Sequence, residues 1–330
     1  MVDSFDQKLD CEVASEFESR KQSAWQLIES YERLGMSERA SKVKLCGTDL
    51  AFRAPVDLSD TAKLYQANFC KDRLCWMCSW RRTKKIFGQV SKVMDRLEAN
   101  RSSRYVFVTL TVRNCSGQRL TSTINALFEA FHLFNKRAQI RHAFDGAFRA
   151  LEVTYNPDKP ECLMFHPHLH IIYSTDESYF DRRKNRYITH DDLMQIWREC
   201  ACLNYNPGVH ICIVEPSVGG NGDVTYKQAI AEVAKYTVKP EKLFLGNTND
   251  EIDHAVWYLS GALAGRRLCS FTGNFKKAAA ELKLDDLNDG DLVNTDNEKL
   301  RTDVRHMLIH YRWNVGFGYE RTYVTYEKEE

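Results

Sequence analysis

Residues 165–174 read FHPHLHIIYS. Three of the chain's ten histidines, His166, His168 and His170, occupy alternate positions there and run directly into an apolar stretch. In a strand, successive side chains face opposite sides of the sheet, so His168 and His170 point the same way, ~6.5–7 Å apart along the backbone. Two imidazoles at that spacing can converge on one ion, while Leu169 and Ile171 turn toward a core. Pro167 has no N–H to give to a ladder, so regular pairing is expected to begin after it, which ranks His166 behind the other two as a ligand. FRALEVTYN at 148–156 also reads as a strand, and Asn156-Pro-Asp-Lys-Pro160 supplies turn chemistry between the two. If they form a hairpin, Glu152 is the natural third ligand, and a carboxylate with two imidazoles leaves positions open for substrate. An H-x-H pair can equally be a structural pair. Zinc hydrolases with H-x-H need more histidines close by, and no H-x-H-x-D-H occurs here, which disfavours a small-molecule metallohydrolase.

Working outward, RYVFVTLTV (104–112) and Val209–Glu215 read as strands, while 120–142, His190–Cys202 and Tyr226–Val238 have helical spacing, with VGGNGD (218–223) as a loop. Residues 8–40 look helical, 41–78 irregular, and Trp80–Ala99 form a basic, helix-prone segment. The last ~85 residues mix helix with an acidic segment and end in the aromatic-rich YRWNVGFGYERTYVTY. No internal repeat is present. Strands interleaved with helices in this way predict an α+β protein.

At 330 residues, 43% hydrophobic and 12% aromatic, the chain can bury a real core. No apolar run approaches the ~20 residues of a membrane span, and the first twenty residues lack a basic segment followed by an apolar one, so no secretory signal is read. Eleven cysteines without such a signal point to a reduced, cytoplasmic chain in which clustered thiols bind metal. The net charge of +1 hides a local asymmetry: CSWRRTKK (78–85) has four cations and no acid, whereas residues 281–298 hold seven acids against one lysine.

Cys46, Cys70, Cys75 and Cys78 are spaced C-x23-C-x4-C-x2-C. Thiolates at such spacing can wrap one tetrahedral zinc, and four sulfurs leave no open position, so the site is structural; the alternative is four buried thiols without metal. The neighbouring Arg73, Arg81, Arg82, Lys84 and Lys85, with Trp76 and Trp80, suit contacts to a nucleic-acid backbone and to bases, or else a solvated helix face.

AIAEVAKYTVKP (229–240) places Glu232 and Tyr236 four apart, on one face of a helix that Pro240 ends, with Lys235 and Lys239 flanking the tyrosine. A tyrosine with pKa ~10 is about one part in a thousand ionised at neutral pH, a shortfall of roughly 4 kcal/mol that a neighbouring cation or metal can partly supply. Tyrosine still suits attack on a phosphodiester, because the phosphotyrosine ester keeps the bond energy for religation. A carboxylate one turn away can orient or deprotonate a water. A Glu/Tyr pair on a helix is, by itself, ordinary surface chemistry.

The order of these features resembles a known family. The cysteine-rich basic module with FCKDRLCWMCSWRRTKK (69–85), then FVTLT (107–111), HPHLH (166–170), EVAKYTVK (232–239) and GRRLCSFTGNFKK (265–277) are similar, over roughly residues 41–285, to plasmid rolling-circle replication initiators of the HUH endonuclease type. Trp76 departs from the proline more usual after that cysteine. The resemblance implies a single-tyrosine enzyme with a glutamate one helical turn before the tyrosine. It also implies a catalytic core with a central antiparallel sheet flanked by helices, beside an N-terminal zinc module. His168 and His170, with Glu152 or His166, would hold Mg2+ or Mn2+ at the scissile phosphate. Tyr236 would attack it, leaving a 5′-phosphotyrosine and a 3′-OH primer, and Glu232 would activate water for the terminating cleavage. The DNA partner implied is a single-stranded or hairpin nick site at a plasmid origin, with host helicase and DNA polymerase following. Origin recognition falls slightly in favour of the cysteine module.

The expected organisation is an N-terminal helical segment (1–40), the four-cysteine zinc module with its basic helix (41–99), the HUH core (100–245) and an accessory region (246–330). Three rivals share some features. A minimal transposase of the same type is shorter and lacks the cysteine module. A conjugative relaxase places its tyrosine before the histidines. A zinc-dependent DNA-binding regulator needs neither Tyr236 nor Glu232. Oligomeric state, host and origin sequence are not written in the residues.

Overall fold

The computed structural model describes residues 2–100, 103–156, 164–218, 224–234, 243–244, 246–295 and 304–327. The chain divides into two compact units, 1–85 with 291–330, and 86–290. These boundaries differ from the four consecutive segments expected. The helix Trp76–Asn100 runs across the first boundary, and the second unit is inserted into the first. Among the described residues no helix is long and apolar enough to cross a membrane.

In the first unit, Leu9, Val13, Phe17, Ala24, Leu27, Ile28 and Tyr31 fall at helical intervals and are all buried. They belong to successive helical segments between Val2 and Arg33, one of them a π-helical stretch, Val13–Glu18. Phe17 meets Phe52 and Trp80 edge-on, with centroids 5.6 and 4.9 Å apart, and each fully buried aromatic contributes roughly 1.5–3 kcal/mol. Residues 41–78 are more regular than expected. With strands numbered in chain order, they hold β1 (Asp49–Pro55) and β2 (Lys63–Ala67). β1 pairs antiparallel with β11 (His306–Asn314), which forms a hairpin with β12 (Gly318–Tyr326), giving the order β12-β11-β1-β2. The aromatic tail is therefore half of a sheet whose other half lies some 250 residues earlier.

The second unit is built on β3 (Arg104–Thr111), β5 (Gly146–Asn156), β6 (Met164–Thr175), β7 (Val209–Val214) and β10 (Cys269–Thr272), ordered β10-β5-β6-β3-β7, with the two-residue β4 (Cys115–Ser116) also on β6. Every pairing is antiparallel. The α+β reading and the β5–β6 hairpin are what the structure contains. Pairing runs through Pro167, opposite Val153, rather than starting after it. The proline is tolerated because β3 reaches only to His168 and β4 only to Phe165, so no strand on that side asks for its N–H. The helix expected over 120–142 is two, Gly117–Lys136 and Ala138–Ala143, because Arg137 takes an extended backbone and reaches Glu199 at 2.7 Å.

Two layers cover the sheet. Arg149, opposite Ile171 on β6, lies over the Phe128 and Phe131 rings, so the helix Gly117–Lys136 covers the Leu169/Ile171 face. Tyr105, on the other face with the histidines, meets Tyr226 and Phe275. The helices Lys227–Val233 and Gly273–Glu281 therefore lie on the histidine side. Gly273 opens the latter at φ +56, and a Cβ there would come within 2.2 Å of the Asp145 carbonyl oxygen. Gly273→Ala is expected to lower stability by about 2 kcal/mol or more, from the left-handed backbone and the clash together, read as a shift in the urea midpoint at unchanged slope.

Candidate functional site

The antiparallel register puts Glu152 directly opposite His168, and the small Ala150 opposite His170. The carboxylate can therefore lean diagonally toward His170 as well. Glu152 Oε2 lies 2.9 Å from His170 Nε2 and 3.5 Å from His168 Nε2, and the two Nε2 atoms are 3.1 Å apart. All three side chains are at least nine-tenths buried. Each imidazole is fixed from behind: His168 Nδ1 donates to the His166 carbonyl at 3.1 Å, and His170 Nδ1 lies 3.2 Å from Thr109 Oγ1, its partner on β3. The carbonyl can only accept, so His168 carries its proton on Nδ1 and leaves Nε2 bare for a ligand, while the Thr109 hydroxyl holds the His170 ring in place. Without a cation, two imidazole nitrogens and a carboxylate oxygen at these distances would oppose lone pairs in a buried space. Around an octahedral ion with bonds of 2.0–2.1 Å, neighbouring ligand atoms are about 3 Å apart, so the donor set fits a divalent cation.

His166 stands apart from this trio. Its ring is 5.1 Å from that of His168, and it hydrogen-bonds the Val112 carbonyl, with burial and the His168 ring holding its pKa below the ordinary value. Of the two candidates for third ligand, the structure gathers Glu152. Glu232 is half-buried on the helix Lys227–Val233, which packs against β6. Lys235, Tyr236 and Lys239 lie outside the described residues. Thr109 escaped the sequence reading, although its place in FVTLT, on the same face by alternation, was the available signal.

In the first unit, Cys46, Cys70, Cys75 and Cys78 converge. Sulfurs are 3.5 Å apart for Cys46–Cys78, 3.6 Å for Cys70–Cys78 and 3.7 Å for Cys46–Cys75. A tetrahedral zinc centre of four thiolates with 2.3 Å bonds has sulfurs about 3.8 Å apart. Cys75 and Cys78 sit at the start of the helix Trp76–Asn100, where the dipole favours thiolates. The Lys71 amide reaches Cys78 Sγ at 3.2 Å from a left-handed backbone, φ +60. Hydrogen bonds from the three neighbouring thiols pull the Cys75 pKa down, while burial pushes that of Cys78 up. The buried Lys21, from the N-terminal helices, donates to the carbonyls of Lys44 (2.6 Å) and Cys46 (2.7 Å) and so holds the distant cysteine in place. Nothing local in the sequence announced it.

The basic run, expected either to contact nucleic acid or to form a solvated helix face, is buried at Arg81, Arg82 and Lys85. Arg81 is buried and donates to the carbonyls of Leu292 and Val293, Arg82 to that of Lys71, and Lys85 to that of Asp291. Lys84 pairs with Glu16 at 2.6 Å, Arg73 is half-buried, and Trp80 is in the core beneath Arg20 and Lys84. The orphan carbonyls of a returning chain segment, rather than solvent, surround Arg81 and Lys85.

The class defined by these observations is an α+β protein that combines a buried Glu-His-His cluster on a five-strand antiparallel path with a separate four-thiol cluster, both with metal-ligand geometry. A model of the replication protein family matches residues 61–324. The chain belongs to that family. It is 33% identical over 299 residues to "Protein rep" of Streptococcus pneumoniae serotype 2, covering 89% of this chain and 88% of that one. It is 31% identical over 299 residues to "Protein rep" of a Bacillus species, covering 87% and 94%, and 32% identical over 288 residues to that of Lentilactobacillus hilgardii, covering 86% and 88%. No solved structure matches the chain.

Proposed function

We propose that this protein is a cytoplasmic initiator of plasmid rolling-circle replication that nicks one DNA strand at the origin, with residues 100–245 as an HUH-type endonuclease core. The observation that carries the reading is the meeting of Glu152, His168 and His170 at 2.9–3.5 Å on one buried face of the sheet. Glu152, His168 and His170 would hold a Mg2+ or Mn2+ ion, which would supply Lewis-acid polarisation of the scissile phosphate. The remaining work falls to the chain. Thr109 and the His166 carbonyl keep both Nε2 atoms aimed at the site. The Tyr236 hydroxyl releases its proton to solvent as its oxygen bonds to phosphorus and the bond from phosphorus to the 3′ oxygen breaks, and the departing oxygen takes a proton from solvent to become the 3′-OH primer. At the terminating cleavage Glu232 takes a proton from a water whose oxygen bonds to phosphorus as the bond from phosphorus to the 3′ oxygen breaks, leaving a 5′-phosphate and a protonated 3′-OH. The four cysteines hold a structural Zn2+. Host helicase and DNA polymerase act on the product.

The test is incubation of the purified protein with a library of single-stranded and hairpin oligonucleotides and Mn2+, followed by a denaturing gel and mass spectrometry of tryptic peptides. The expected result is a nucleotide adduct on the Tyr236 peptide that EDTA abolishes. Tight DNA binding with no adduct on any member would instead support the zinc-dependent DNA-binding regulator, for which the four-thiol cluster is the favouring observation.

A further inference from the structure

At the end of β3, on the layer of the helix Gly117–Lys136, the second unit has an open cleft of about 800 Å3 that the nicking chemistry does not use. Its wall begins at Val112, whose carbonyl accepts the hydrogen bond from His166, so the cleft and the Glu-His-His trio are joined through one side chain. Among the described lining residues only Arg113 and Arg119 are charged, and both are cationic. Leu127, Met164 and Leu203 give it an apolar floor. At its rim the Arg113 guanidinium lies 3.9 Å over the Tyr205 ring, and the Arg113 backbone N–H donates to the Tyr205 hydroxyl at 2.8 Å. The ring is thus pinned by its own polar tip, and the guanidinium sits over it on a residue that is exposed.

We propose that this cleft holds the single-stranded DNA flanking the scissile phosphate, with one base stacked on the Arg113–Tyr205 platform and Arg119 against the backbone. The proposal rests on the nicking reading above. Three features fix the class of ligand. A cleft whose charges are all positive selects a polyanion. A planar guanidinium held over an aromatic ring is a stacking surface for any base. Duplex bases are already stacked on each other, so only an unpaired strand can offer one. The platform is assembled before the ligand arrives, so little ordering entropy is lost on binding.

The experiment measures binding without chemistry. Fluorescence anisotropy is followed in EDTA, on the full chain carrying Tyr236→Phe, with two labelled 20-mers: oligothymidylate, and a strand of abasic tetrahydrofuran phosphates with the same charge and no bases. The expected result is a preference of about tenfold or more for the strand with bases, since stacking on an aromatic is worth ~1–3 kcal/mol per base. Tyr205→Ala and Arg113→Ala should each erase most of that ratio, whereas Tyr205→Trp should keep it and so exclude misfolding as the cause. Arg119→Ala should weaken both strands alike and leave the ratio intact. Equal affinity for the two strands in the unaltered platform, or a ratio unchanged in Tyr205→Ala, overturns the proposal. Failure of the nicking reading is separate, because it is read as the absent Tyr236 adduct and does not alter a metal-free binding ratio.

Discussion

If the proposed nicking activity holds, His170→Ala is expected to lower it by at least ~10³-fold, equivalent to roughly 4 kcal/mol of transition-state stabilisation, with the protein still folded. The residue touches both other members of the trio, at 2.9 and 3.1 Å, so its loss removes one ligand and leaves the other two without their common neighbour. A divalent ion bound there, whose Lewis acidity would contribute several kcal/mol, would then be weakly held. Mn2+ affinity measured by calorimetry should fall in parallel. Thr109→Val is the graded control. It removes only the hydroxyl 3.2 Å behind His170 Nδ1, and effects of such supporting groups on metal affinity or activity are typically about 10–100-fold. Nicking by His170→Ala within tenfold of the parent would remove the histidines from the reaction.

Cys75→Ser has the larger structural effect. The four sulfurs come from three separate places in the chain: the end of the helix Ser37–Leu45, the loop after β2, and the start of the helix Trp76–Asn100. Apparent binding energies of structural zinc, about 10–16 kcal/mol in small peptides, match or exceed the whole stability of an ordinary domain, about 5–15 kcal/mol. The variant should retain under a tenth of the parent's zinc by mass spectrometry, and protease should then cut within residues 1–85 while 86–290 resists. Full zinc content in the variant, or an unchanged digestion pattern with zinc lost, would show that the cluster does not hold the first unit together.

What the sequence made legible was what alternation and close spacing encode. The β5–β6 hairpin, the shared face of His168 and His170, and the convergence of Cys70, Cys75 and Cys78 all follow from periods of two or from gaps of a few residues. The choice of Glu152 over His166 needed the register, because alternation alone puts all three histidines on one side. β1 escaped because its partner β11 is remote and because DLAFRAP mixes charge with apolar residues. The basic run was legible as charge but not as burial. Its carbonyl partners, at Asp291 to Val293, are more than 200 residues away, and no local pattern marks a cation that satisfies a returning backbone.

The insertion of one unit inside the other has a consequence for synthesis. Residues 86–290 are contiguous, so the unit that carries Glu152, His168 and His170 can reach its fold on the ribosome as soon as β10 and the helix after it have emerged. The first unit must wait, with its cysteines already made, until β11 and β12 arrive to pair with β1. During that interval β1 offers an unpaired edge, and the thiols are exposed to oxidation or to an early metal. A nascent chain stalled before residue 306 would therefore carry the finished Glu-His-His cluster without the half-sheet that completes the thiol-bearing module.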